Sequence, residues 1–327
     1  MHSFASECSA APSMTENGGE TVSARLKHGR SVPPVGASTG AGGAQIRGES
    51  VDAPPGDARN LVLDPSGFWV ARHDQALSYP EEGNSLCFAL EEHSFWFKHR
   101  NDVIVSTLQQ FPPGGTFFDV GGGNGFVACA LEKAGFPTVL IEPGRSGAEN
   151  AKKRGLRNVI CATTDAAGFA PGSMDAIGLF DVVEHIEDDA GFLKSMHKLL
   201  RPGGRIYISV PAFQTLWSTE DEFAGHFRRY TRRSLARVLR GAGFEVEYTT
   251  CFFWILVLPV FFIRSIPSRL GLRRKPTAES AHNDHTAAGD GILGKTTGVF
   301  WSAERWWFRR GLRFPVGGSC LAVAKAK

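Results

Sequence analysis

The residues of this chain best placed to do chemistry are an acid followed by glycines, a second acid, and two histidines. Asp119 is followed by glycine at 121, 122, 123 and 125, and then by the apolar run Phe126-Val127-Ala128. An acid that closes an apolar stretch and opens onto glycine lets the backbone pass close to a ligand. A helix beginning at Phe126 would also point its free N–H groups at that ligand. Glu142 stands twenty-one residues after Gly121, at the end of a second apolar run, Thr138-Val139-Leu140-Ile141. A carboxylate there can accept hydrogen bonds from both hydroxyls of a ribose. Together these residues describe a cradle for an adenosine-type cofactor. The dinucleotide pattern Gly-x-Gly-x-x-Gly/Ala fails from Gly121, because Phe126 takes the third glycine position, and from Gly123 it is met only through Gly125 and Ala128. Asp119 favours a different cofactor. A pyrophosphate disfavours a neighbouring acid, whereas a cofactor bearing an ammonium and a positive sulfur is stabilised by one.

The acid-first run Asp119-x-Gly121-x-Gly123-x-Gly125 resembles motif I of the class I S-adenosylmethionine-dependent methyltransferases. Four further segments resemble that family in order and spacing. They are Ala162-Thr163-Thr164-Asp165-Ala166, the run from Asp175 to Ile186, the run from Leu199 to Pro211 with its Pro202-Gly203-Gly204 turn, and Gly241-Ala242-Gly243-Phe244. The layout is similar to the type 11/type 12 branch, which also holds quinone-biosynthesis O-methyltransferases. The resemblance implies S-adenosyl-L-methionine as cofactor. It assigns Asp119, Gly121, Gly123, Gly125, Glu142, Asp165, Ala166 and Asp181 to its binding. It also implies a doubly wound, seven-stranded, mostly parallel sheet, with a last strand at 316–327 running antiparallel beside strand six. Rival readings are a nicotinamide-dependent oxidoreductase and a catalytically silent scaffold. The first should lack the acid-first run and the second should show damage to it, yet Asp119, Gly121, Gly123 and Glu142 are all present.

Methyl transfer from a sulfonium needs alignment above all, and a base only where the acceptor must lose a proton. Open α/β sheets bind ligands at the carboxyl ends of their strands, where the candidates are Asp181-x-x-Glu184-His185 and the later block Trp217-Ser218-x-x-Asp221…Gly225-His226-x-Arg228-Arg229-Tyr230. His226 is the first choice of base and His185 the second. Trp217, Asp221, Arg228, Arg229 and Tyr230 are expected to contact an anionic or polyhydroxyl substrate; the alternative is an internal salt-bridge network that fixes the loop. The spacing around Glu184-His185 also resembles the metal cluster of the quinone O-methyltransferases, with Asp181 where those enzymes carry glutamate. No metal is expected.

The elements that must position these groups follow from periodicity. Strands are expected near 116–120, 138–142, 157–161, 175–182, 204–210 and 244–252, alternating with helices near 124–135, 145–154, 188–200 and 232–242. Residues 1–58 are rich in Ser, Gly, Ala, Pro and Glu without apolar period and are expected to be disordered, or else to reflect a start codon placed too early. Residues 59–112 form an N-terminal cap with Phe68-Trp69, Tyr79 and Phe95-Trp96-Phe97. The core runs over 113–252. The cysteines (Cys8, Cys87, Cys129, Cys161, Cys251 and Cys320) form no Cys-x-x-Cys pair, which fits a reducing cytoplasm and offers no zinc framework. The overall charge of +3 provides no global field for nucleic acid, and none is expected as a partner.

Residues 253–315 form an insertion before the last strand. The apolar run from Cys251 to Ile263 is thirteen residues long, against the roughly twenty a membrane span requires. A polar stretch, 275–296, is expected to be disordered. Aromatics and arginines then interleave at Glu304-Arg305-Trp306-Trp307-Phe308-Arg309-Arg310. From residue 261 onward the chain carries 12 Lys/Arg against 4 Asp/Glu, so the remainder is net acidic. This profile suits an anchor on the inner face of a membrane; a hydrophobic lid over the substrate and an oligomer contact are the alternatives. The acceptor is expected to be a small molecule, apolar or lipid-linked, with a hydroxyl preferred as the target.

Overall fold

The computed structural model describes residues 54–72, 88, 90–272 and 292–327. Of the stretches expected to be disordered, 1–58 and 275–296, residues 1–53 and 275–291 lie outside the described residues, as does Tyr79 of the cap; Pro55–Asp57 form a 3-10 turn and residues 292–296 begin a helix. A single sheet organises the rest, in the order β1-β2-β5-β4-β3-β6-β7-β9-β8. Its strands are β1 (Leu61–Leu63), β2 (Trp69–Ala71), β3 (Phe117–Val120), β4 (Thr138–Ile141), β5 (Val159–Cys161), β6 (Met174–Phe180), β7 (Leu200–Pro211), β8 (Phe244–Phe252) and β9 (Ser319–Ala326). The pairings β5-β4-β3-β6-β7 are parallel, and β9 runs antiparallel between β7 and β8.

The sheet has nine strands where the sequence implied seven. The extra pair is the hairpin β1–β2 from the cap region, whose Trp69 and Val70 pair with Ile160 and Cys161 of β5. β5 would otherwise present an open edge, and the hairpin covers it. Ala58 and Leu61 are buried in the main core.

Both faces of the sheet are covered, as a parallel sheet requires. Successive side chains alternate between the faces. Phe117 joins Tyr207 and Leu321 under helices α1 (Phe95–Gln110), α2 (Phe126–Lys133) and α8 (Ile292–Arg309), which contribute Ile104, Leu131 and Phe308. Phe118 points the other way, into the cluster formed with α5 (Asp189–Leu199) and α7 (Arg232–Gly241) through Leu193, Met196, Leu235 and Leu239. A third cluster packs α3 (Arg145–Lys153) on Leu140 and Val159 through Ala148 and Ala151. Two short helices, α4 (Thr164–Ala167) and α6 (Thr219–Phe223), follow β5 and β7.

The insertion begins inside the core. Cys251, Phe252 and Phe253 are fully buried, and the chain then turns through short helical segments over residues 254–269. No helix among the described residues is long and apolar enough to cross a membrane. The later helix of the insertion, α8, is fixed to the core by a buried polar clasp. Glu304 is fully buried, pairs with His99 of α1, and accepts the N–H groups of Phe253 and Trp254, each at 3.2 Å. Removing one partner of such a cluster leaves the others desolvated and unsatisfied. Glu304→Ala is therefore expected to destabilise the fold by about 3 kcal/mol, measured by urea denaturation. A midpoint unchanged within error would show that the clasp contributes nothing.

Candidate active site

The site is built on the carboxyl edge of β3, β4 and β6. At the end of β3, Asp119 is fully buried and neither carboxylate oxygen has a hydrogen-bond partner. Burial pushes its pKa up to about 7; Arg100 opposes the rise and Glu142 adds to it. The loop that follows is possible only with glycine. Gly121, Gly123 and Gly125 have positive φ of 70°, 54° and 73°. A Cβ on Gly122 would stand 2.3 Å from Leu140 Cδ1 and 2.5 Å from Asp119 Oδ2. The loop backbone thus lies directly against the acid. α2 then starts from Gly125 without a side-chain cap, which leaves N–H groups at its first turn for a ligand.

Glu142 is buried at the end of β4. Its carboxylate accepts the N–H of Gly123 and the N–H of Gly144, each at 2.8 Å. Burial raises its pKa and these two donors resist the rise. Asp165 is exposed on α4, just past β5, and the N–H of Ala166 donates to the Thr163 hydroxyl that caps this helix. Asp181 follows β6 with a φ of 59°. It lies 2.7 Å from Arg100 Nε and accepts the Ser209 hydroxyl at 3.1 Å.

Arg100 is the residue that sequence reasoning missed. It is buried on α1, donates to the Phe180 carbonyl at 2.9 Å, and sits over the Trp96 ring. The run Phe95–Asn101 reads as an aromatic cap, and nothing within it signals an arginine aimed at the strand ends. Asn101, beside it, donates to the carbonyl of Phe126 at 3.0 Å and so helps set the start of α2.

A second cluster joins the residues after β6 to those after β7. His226 Nδ1 lies 2.9 Å from Asp221 Oδ1. An ionised carboxylate only accepts, so Nδ1 carries a proton, and in the neutral ring Nε2 presents a lone pair. Burial pushes the pKa of Asp221 up, and the hydrogen bonds from His226 and Arg229 outweigh it, so the acid stays ionised. The His185 ring meets the His226 ring edge to face, 4.7 Å between centroids. Burial, with His226 adding to it, brings His185 down to about 4, so it is neutral at physiological pH. Glu184 is fully buried with both oxygens unpartnered, and burial with Asp181 nearby lifts it well above the ordinary carboxylate range. One ligand atom each from Glu184, His185 and His226 falls within 4.8 Å of the others. Asp181 stands outside this trio, engaged with Arg100.

The other expected substrate contacts take partners within the protein. Arg229 grips both oxygens of Asp221, at 2.7 and 2.9 Å, and also donates to the Ala212 carbonyl. Arg228 pairs with Asp189 at 2.9 Å, and the Tyr230 hydroxyl donates to the same carboxylate at 2.6 Å. Trp217 is half-buried between Leu216 and the capping box of α6, in which Ser218 and Asp221 cap each other. In this conformation Arg228, Arg229 and Tyr230 fix the loop that presents His226.

S-adenosylmethionine suits these residues on structural grounds. A fully buried carboxyl with two bare oxygens lies against a glycine loop, and a second acid waits at the next strand end. The family model described as a methyltransferase domain (Methyltransf_23) matches residues 96–249. The chain is similar to a probable S-adenosylmethionine-dependent methyltransferase of Mycolicibacterium smegmatis (strain ATCC 700084 / mc(2)155), 26% identical over 181 residues, 54% of this chain and 70% of that protein. It is 33% identical over 150 residues to an uncharacterized methyltransferase of Mycobacterium sp. (strain JLS), covering 45% of this chain and only 55% of that relative. A ubiquinone biosynthesis O-methyltransferase of Xanthomonas axonopodis pv. citri (strain 306) is 24% identical over 167 residues, 45% of this chain and 69% of that enzyme. The match takes in the glycine loop, both strand-end acids and the histidine pair: residues 96–249 form an S-adenosylmethionine-dependent methyltransferase domain.

Proposed function

We propose that this protein transfers a methyl group to a hydroxyl of a small, apolar or lipid-linked acceptor, with His226 as general base. The bound cofactor supplies a methyl carbon on a positively charged sulfur. Asp119 supports the positive end of that molecule and Glu142 holds its ribose hydroxyls, exchanging its present bonds to Gly123 and Gly144 for them. Asp165 and Ala166 would hold the adenine, and Asp181, held by Arg100, would close the site. Asp221 orients His226 and stabilises the imidazolium formed when Nε2 takes the acceptor proton. Neutral His185 beside it adds no competing positive charge. The observation that carries this reading is the bare, buried Asp119 carboxyl facing the glycine loop.

The cluster of Glu184, His185 and His226 favours a second reading, in which a divalent cation held there polarises the acceptor oxygen. Activity lost on chelation and restored by the added metal would select it over the metal-free base.

The apolar or lipid-linked acceptor is supported by the surface around this loop. The N–H of Thr219 donates to Ser268 Oγ at 2.9 Å, and Arg269 donates to the Thr215 carbonyl at 2.8 Å, so the insertion is tied to the segment bearing His226. Exposed apolar side chains follow from both partners: Phe223 (60%) and Phe227 (50%) from the loop, and Leu258 (66%), Phe262 (60%) and Ile263 (67%) from the insertion. Arg264 and Arg269 border them. Apolar side chains bordered by cations suit the surface of an anionic bilayer.

Three outcomes are expected. First, Asp119 must be ionised to support a cation, so affinity for S-adenosylhomocysteine should rise with pH through about 7. Calorimetry at pH 6 should give binding roughly tenfold weaker than at pH 8, while NAD(H) leaves the melting temperature unmoved; a flat profile would remove Asp119 from the cofactor site. Second, His226→Ala should lower transfer of isotope-labelled methyl groups into cell-extract metabolites by about a hundredfold or more and leave S-adenosylhomocysteine affinity intact. Undiminished labelling would exclude His226 as the base. Third, Leu258→Ser/Phe262→Ser/Ile263→Ser should reduce co-sedimentation with phosphatidylglycerol vesicles severalfold. Equal partitioning of variant and wild type would reject the bilayer contact.

A further inference from the structure

α7 carries Arg232, Arg233, Arg237 and Arg240, and the helix itself gives no reason for them. Arg232 and Arg233 occupy its first turn, which holds no acidic residue, so two cations oppose the positive end of the helix dipole. Arg233 and Arg237 are four residues apart, and Arg237 and Arg240 three, spacings at which like charges repel along a helix surface. None of the four side chains makes an ion pair or hydrogen bond with another described residue. Their neighbours in sequence differ sharply, since Arg228 and Arg229 are each satisfied by an aspartate. The four arginines also share a concavity. One depression of about 450 Å³ is lined by all four together with Thr249 of β8. A second, of about 500 Å³, shares Arg232, Arg233 and Arg237 and extends to Phe213. Phe213 is the residue whose N–H binds the Tyr230 carbonyl, where β7 gives way to the loop that ends in His226.

We propose that this cleft binds a phosphate-bearing anion, a diphosphate or a phosphomonoester, through the guanidinium groups of Arg233, Arg237 and Arg240 with Arg232 at its floor. Guanidinium groups grip phosphate oxygens in pairs, and bound negative charge would relieve the repulsion along α7. The group could be carried by a lipid headgroup or by a soluble phosphate compound, and the chemistry is the same for both. The inference goes beyond the methyl-transfer reading, because binding here requires neither the cofactor nor His226.

The test is calorimetric titration of the full chain with inorganic pyrophosphate at fixed ionic strength, comparing wild type with Arg233→Ala/Arg237→Ala/Arg240→Ala. These positions are exposed, and an unchanged melting shift with S-adenosylhomocysteine verifies that the variant is folded. Saturable binding to the wild type, weakened at least roughly tenfold in the variant, sustains the site. Competition by phosphatidylglycerol vesicles would then assign it to a headgroup, and its absence to a soluble compound. Equal binding by the two proteins overturns the proposal. So does a wild type that fails to bind pyrophosphate but binds a short RNA through the same arginines. A wild type that binds pyrophosphate here yet shows no methyl transfer would leave this site standing and reject the functional reading instead.

Discussion

The carboxyl edge of the sheet carries more negative charge than the protein itself balances. Asp119 and Glu142 close adjacent strands, and Asp181 and Glu184 follow the next one, β6. Three of the four are buried outright. Burial raises Asp119, Glu142 and Glu184 alike. Among the described residues, Arg100 is the buried cation that reaches this group, and its contacts go to Asp181 and the Phe180 carbonyl. Like charges desolvated together keep one another protonated. A bound cation reverses that balance, and S-adenosylmethionine carries its positive groups on one small molecule. On the proposed assignment of these acids, the preference for this cofactor comes from an unfinished charge balance as much as from shape.

Backbone strain gathers at the same edge. Asp181, Phe213 and Phe253 all have positive φ without being glycine, a conformation that costs on the order of 1 kcal/mol or more each. Each is held by a partner from elsewhere in the chain. Asp181 is held by Arg100 and Ser209, Phe213 by the carbonyl of Tyr230, and Phe253 by Glu304. The turns they make redirect the chain just after β6, β7 and β8. The first two deliver the segments bearing His185 and His226, and the third launches the insertion. The Glu304 clasp, remote from the histidines, thus belongs to the same scaffold. It fixes where the insertion leaves the core, and so where Ser268 and Arg269 meet the loop of His226.

What could be read from the sequence was what is local. The glycine loop, the acid before it and Glu142 announce themselves because one short segment must turn, approach and accept in a fixed order. The main strands were legible for the same reason, being apolar runs bounded by turn residues. The hairpin β1–β2 was not, because three-residue strands have no period of their own and are defined by pairing with β5. Arg100 and Asp181 are eighty-one residues apart in the chain, and no spacing rule connects them. The block from Trp217 to Tyr230 offered donors and acceptors in plenty, and the fold decided that Asp221 and Asp189 would take Arg229, Arg228 and Tyr230. Glu304 lies in a basic, aromatic stretch and reads as a surface acid, yet it is among the most buried residues of the protein.

The apolar run at the start of the insertion shows how one composition can serve two purposes. Its first three residues, Cys251 to Phe253, end β8 and are lost to solvent entirely. From Trp254 onward the helical turns keep only part of their surface against the core, and Leu258, Phe262 and Ile263 face outward. A lid drawn over a substrate pocket would bury these side chains beneath it; on the proposed reading, their exposure suits a contact beyond this molecule. A partner surface that matched them would have to be apolar at the centre and anionic at the rim, since Arg264 and Arg269 stand beside them and the sequence continues Arg273-Arg274-Lys275. A bilayer bearing acidic headgroups meets both conditions with a single material. It would also deliver an acceptor that water dissolves poorly to the loop where His226 waits.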